Sequence, residues 1–75
     1  MKTRLPEYKD LKMFSRWEIK TKYGKLILHI HNTELMKETI HLYKFEDDEI
    51  YDFFIAPLTR QNYDVVRIII SQIEK

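Results

Sequence analysis

From Phe14 onward, the apolar residues of this chain return at every second position. Trp17, Ile19 and Thr21 fall on one side of an extended segment, with Arg16, Glu18, Lys20 and Lys22 on the other, which is the alternation of a half-buried strand. Leu26, Leu28 and Ile30 repeat the pattern against Ile27, His29 and His31. Tyr23-Gly24 separates the two runs and predicts a two-residue hairpin loop, with glycine supplying a positive φ. Thr21 would then face Leu26, Ile19 would face Leu28, and Trp17 would face Ile30, all on one apolar side. A slip of one residue would turn a strand's core residues outward, so turn chemistry and hydrophobic pattern support each other.

Alternation resumes from Glu38 to Phe45, with Ile40 and Leu42 on one face and His41, Tyr43 and Phe45 on the other. A helix capped by Thr33 and running through Leu35 and Met36 to His41 competes for the first part. The β-branched and aromatic content of residues 39–45 favours a third strand. Glu46 to Glu49 reads as an acidic turn and Ile50 to Ala56 as a fourth strand, closed by Pro57, which has no N–H to donate. Pairing across that turn predicts Leu42 beside Phe54 and Lys44 beside Asp52.

Beyond Pro57 the period changes to that of a helix. Tyr63, Val66, Ile70 and Ile73, flanked by Val65 and Ile69, make a broad apolar stripe, and Arg60, Asp64, Arg67, Ser71, Glu74 and Lys75 take the opposite arc. Thr59 and Asn62 are both suitable N-caps. At the other end, Pro6 can open a short helix in which Tyr8, Leu11 and Lys12 follow at helical spacing. The expected fold is a single α+β domain of ββββα order. Residues 1–13 form an arm or short helix, residues 14–56 a four-stranded antiparallel meander, and residues 59–75 a helix packed on one face.

Composition narrows the function classes. Apolar residues make up 44% and charged residues 33%, with one Gly and two Pro, the balance of an ordered globular chain. At 75 residues the chain buries only roughly 60% of its unfolded surface, so its core is small unless a second subunit reinforces it. There is no cysteine, which excludes disulfides, a thiolate nucleophile and Cys-ligated zinc and fits a reducing cytoplasm. No apolar run approaches the length of a membrane span or a signal-peptide core. Residues 1–25 carry eight Lys/Arg against three Asp/Glu, and residues 26–58 two against seven. This asymmetry is read first as pairing within the fold or as solvated charge.

Register arithmetic gives the sheet two differently equipped faces. The second carries His29 opposite His41, with Glu18 expected beside His29 and Arg16 beside His31. His29, His31 and His41, two on one strand and one on its neighbour, locally resemble the three-His zinc arrangement of carbonic anhydrases. That resemblance covers these three residues and implies no activity in a chain this short. Because His-x-His recurs by chance in strands, no metal or cofactor is favoured, and partly exposed histidines paired with Glu18 or water are the simpler reading.

Ile27, Tyr43, Phe45, Tyr51, Phe53 and Ile55 are expected on the same face, which one helix cannot also cover. The N-terminal residues Leu5, Tyr8, Leu11, Met13 and Phe14 would fill it, or a protein partner would, whether a second copy or a different protein. Nucleic-acid stacking on these aromatics beside Lys20, Lys22 and Lys25 is the alternative, opposed by the acidic turn. No nucleophile, phosphate loop or spaced cation loop supports catalysis, and no enzyme is expected. The reading is a non-enzymatic interaction module, similar in type to the accessory inhibitors and regulators that phages and other mobile elements carry.

Overall fold

A computed structural model of the chain describes residues 5–34 and 37–74. Strands β1 (Arg16–Thr21), β2 (Gly24–His31), β3 (Thr39–Glu46) and β4 (Glu49–Pro57) form one antiparallel sheet in sequential order, followed by helix α1 (Arg60–Ile73). The expected ββββα architecture is therefore present. Because β3 begins at Thr39 and includes His41, a helix through that segment is ruled out; Leu35 and Met36 lie outside the described residues. In place of a short helix after Pro6 there is a 3₁₀ turn at Tyr8–Asp10, which ends where Leu11 becomes extended and enters the core.

The first hairpin differs from expectation by one position in its loop. Lys22-Tyr23, not Tyr23-Gly24, connects β1 to β2, so Trp17 faces Leu28, Ile19 faces Leu26 and Thr21 faces Gly24. The cause is local. Gly24 takes φ +109° as the first residue of β2, and the Thr21 hydroxyl accepts from the Tyr23 N–H and donates to the Gly24 carbonyl. Moving the loop one residue moves every partner by two, which preserves side-chain parity. The core face is unchanged, but Glu18 now faces Ile27 and Arg16 faces His29, in place of the expected Glu18–His29 and Arg16–His31 pairs.

The second hairpin keeps the expected register, with Leu28 opposite Leu42 and His29 opposite His41. The third turns through Asp47 and Asp48, both at positive φ (53° and 62°), as a two-residue type I′ loop requires; aspartate tolerates that region better than most residues. Leu42 pairs with Phe54 as expected, but Tyr43 pairs with Asp52 and Lys44 with Tyr51. Phe53 is thus an extra residue, a β-bulge, and between it and the turn the parity of β4 is reversed.

One face of the sheet carries the core. Ile19, Leu26, Leu28, Ile30, Ile40 and Leu42 meet Tyr63, Val66 and Ile70 of α1, with Trp17 and Phe54 packed against them at the margins. The helix is capped by Thr59, whose hydroxyl accepts from the Asn62 N–H, and Asn62 Nδ2 donates to the Pro57 carbonyl. These bonds anchor the first turn of a helix whose Val and Ile content does not favour helix by itself. Of the polar arc read from the sequence, Lys75 lies outside the described residues.

The described part of the N-terminal arm packs on this same face. Leu11 is buried in the core, Leu5 and Tyr8 pack against it, and the Tyr63 hydroxyl donates to the Pro6 carbonyl, 57 positions away. The Tyr8 and Tyr63 rings stand 6.2 Å apart, and the Arg60 guanidinium lies over Tyr8. The arm therefore does not fill the second face as the sequence allowed. Its apolar residues complete the helix layer, because a helix about 10–12 Å wide leaves part of a four-stranded sheet, spanning roughly 14 Å between outer strands, uncovered.

Burial raises the Tyr63 phenol above its ordinary pKa, which keeps it protonated as a donor to the arm. Tyr63→Phe should lower stability by about 1 kcal/mol, the net worth of one hydrogen bond. In urea unfolding and limited proteolysis, cleavage near residues 5–11 should accelerate by more than the global loss of stability explains.

Candidate functional site

The second face is organised by cross-strand rows. Glu18, Ile27, Tyr43 and Asp52 form one; Arg16, His29, His41 and Ile55 form the next; His31, Thr39 and Pro57 follow. Asp52 belongs to this face only because of the bulge at Phe53. In the expected register it would have sat beside Lys44 on the core side. Lys44 instead donates to the Tyr23 carbonyl (2.9 Å) and pairs with Glu46 (3.0 Å), tying the first turn to β3.

The bulge gives the three histidines a carboxylate neighbour. His41 is buried, and its Nε2 lies 2.6 Å from Asp52 Oδ1. His41 Nδ1 is 3.0 Å from His31 Nε2, and His31 Nδ1 is 3.0 Å from the Asn32 carbonyl oxygen. The result is one line of contacts running Asn32, His31, His41, Asp52. A carbonyl oxygen and a carboxylate oxygen only accept, so His31 must carry a proton on Nδ1 and His41 one on Nε2. The two remaining ring nitrogens then point at each other.

His29 stands beside this line. Its ring is 4.5 Å from that of His31, and the Tyr43 hydroxyl approaches its Nδ1 at 3.4 Å, longer than an ordinary hydrogen bond. Its pKa is lowered from the usual histidine value, first by burial and then by the neighbouring charges of His31, Arg16 and His41. Among the described residues, no group of three or more His, Cys, Asp or Glu is placed to hold a metal ion. The three histidine rings adjoin, and the nitrogen-to-nitrogen hydrogen-bond contact among them joins His31 to His41.

The expected partner-binding residues separate into floor and surface. Ile27 and Tyr43 are buried, whereas Phe45, Phe53 and Ile55 are exposed. Tyr51 does not share their face. It pairs with Lys44 in the parity of Leu26, and its hydroxyl donates to Glu49. Ile50, opposite Phe45, takes its place, an exchange the bulge also explains. A groove of about 470 Å³ runs over Ile27, His29 and Tyr43, walled by Arg16, Glu18 and Lys25 on one side and by Phe45 and Ile50 on the other.

The basic residues named for nucleic acid are all engaged. Lys25 pairs with Glu18 at 3.3 Å, Lys22 lies over the Tyr23 ring, and Lys20 also has an interaction partner. Of the two serines, Ser15 holds the backbone of Lys12 and Ser71 is exposed on α1. Comparison of the chain with family models, curated proteins and solved structures gave no match. No helix among the described residues is long and apolar enough to cross a membrane.

Asp52, Ile50 and Asn32 were missed by the sequence reading. The signal for the first two was present in Asp52-Phe53-Phe54-Ile55, where two adjacent aromatics interrupt the alternation and the expected register put a charge on the core side.

Because His29 is depressed in the folded chain, the unfolded chain takes up its proton first as pH falls. Its stabilising contribution is complete above pH 6.5, the ordinary value, and is lost as pH drops through the lower folded value. NMR titration should place the His29 midpoint below 6.5. Arg16→Gln should move it upward, toward the ordinary value.

Proposed function

We propose that this chain is a small protein-interaction module that docks its partner on the β4 half of the second sheet face, and that the partner is a second copy of the chain. The observation that carries the reading is a set of exposed apolar side chains gathered on the β3–β4 side of this face. Phe45, Ile50, Phe53 and Ile55 are each 41–56% exposed, on the side of the molecule opposite to both α1 and the described arm. Patches of this kind mark interaction surfaces, and Phe supplies large contact area at little conformational cost.

Two features favour self-association. β4 is an outer strand of nine residues, and an antiparallel strand pair is compatible with a two-fold axis. Pairing β4 with its copy about Phe53 would set Glu49 beside Pro57 and keep the two acidic turns apart, while joining the two apolar patches. A chain of this size also has a small core, which a second subunit would extend. Nucleic-acid binding is less favoured, because Lys25 is already paired with Glu18 and the acidic turn adjoins Phe45 and Ile50.

Light scattering over a concentration range should show a monomer–dimer equilibrium. Phe53→Asp should shift it to monomer with the circular dichroism of the sheet retained. A monomer at every concentration contradicts the dimer. Binding to a generic single-stranded oligonucleotide that falls steeply with added salt would favour the nucleic-acid reading instead.

A further inference from the structure

The two histidine nitrogens that face each other define a second site, independent of the apolar patch. We propose that His31 Nε2 and His41 Nδ1 bind a divalent metal ion of the zinc class, with Asp52 and the Asn32 carbonyl orienting the two imidazoles.

The argument begins with proton positions. The outer contacts fix His31 as the Nδ1–H form and His41 as the Nε2–H form, leaving one lone pair on each ring. Those lone pairs converge at 3.0 Å, where two acceptors repel unless an electrophile lies between them. A proton or a metal ion satisfies the arrangement. Two nitrogens bound to zinc at about 2.0–2.1 Å and a tetrahedral angle stand roughly 3.3–3.4 Å apart, so a small opening of the existing gap admits the ion.

The surrounding bonds are those a metal site uses. A ligating histidine characteristically donates its other ring N–H to a carboxylate or a backbone carbonyl, which fixes the tautomer and raises the basicity of the ligating nitrogen. Here His41 has the carboxylate, at 2.6 Å, and His31 the carbonyl, at 3.0 Å. Both rings project from adjacent paired strands, so little ordering is left for binding to impose. Around the pair on this face stand Arg16 on β1 and His29 on β2 in the row of His41, and Glu18 on β1, Tyr43 on β3 and Asp52 on β4 in the next row. Because no third His, Cys, Asp or Glu among the described residues joins the group, the ion keeps water at its remaining positions. His31 is only half-buried, so the pair is not sealed from solvent.

Isothermal titration of untagged protein with zinc chloride should show one site. His31→Gln should abolish measurable binding, and Asp52→Asn should weaken it about tenfold, the effect of losing an outer-shell carboxylate. His29→Gln should leave affinity within about twofold, since the nitrogen-to-nitrogen contact joins His31 and His41. His31 is the less buried of the two ligands, so its replacement should spare the fold, which circular dichroism of the variant would check. In ¹⁵N spectra of the imidazoles, zinc should shift Nε2 of His31 and Nδ1 of His41. Absence of heat above dilution, undiminished binding by His31→Gln, or shifts confined to His29 would overturn the site.

Discussion

Side chains in a β-strand alternate between faces, so one residue inserted into one strand exchanges the environments of everything between it and the next turn. Phe53 is that residue. It separates the Leu42–Phe54 pair from the Tyr43–Asp52 pair, and the second face depends on it. Without the bulge, Asp52 would meet the core and Tyr51 would join the aromatics. With it, the carboxylate reaches His41, Ile50 comes beside Phe45, and the histidine row acquires an anionic end.

The same sheet explains why its two faces differ so much. One face receives both covering elements, α1 and the described arm, joined by Tyr63 and Pro6. The buried set there is almost wholly aliphatic, apart from Tyr63. The other face receives neither, so its burial comes from neighbours within the sheet. Ile27, His41 and Tyr43 are buried by their own row neighbours, whereas Phe45, Ile50 and Ile55 near or on the outer strand remain open. The inner strands shelter Ile27, His41 and Tyr43, and the outer strands leave Arg16 and Glu18 open at one margin and Asp52, Ile50 and Ile55 open at the other.

Much of this was legible from the chain. Alternation located four strands, the 3.6-residue period located the helix, and parity assigned the core, because each depends on a few consecutive residues. Matching apolar faces fixed the parity of the β2–β3 pairing, and the observed register, with His29 opposite His41, is one of those that parity allows. Three features were harder to read. The first loop was misplaced by a residue because Gly24 can supply its positive φ either within the loop or just after it, and both choices keep the same face. The bulge was missed because arithmetic from the acidic turn assumes unbroken pairing. The arm's position was likewise undetermined, since Leu5, Tyr8 and Leu11 suit either uncovered area until Tyr63 claims Pro6.

The account rests on the pairing of β3 with β4, which cross-strand backbone NOEs in a uniformly labelled sample measure directly. Contacts should link Leu42 with Phe54 and Tyr43 with Asp52, leaving Phe53 without an opposite residue. Contacts of Tyr43 with Phe53 and of Lys44 with Asp52 would restore the unbulged register, remove Asp52 from the histidines and contradict the second face described above.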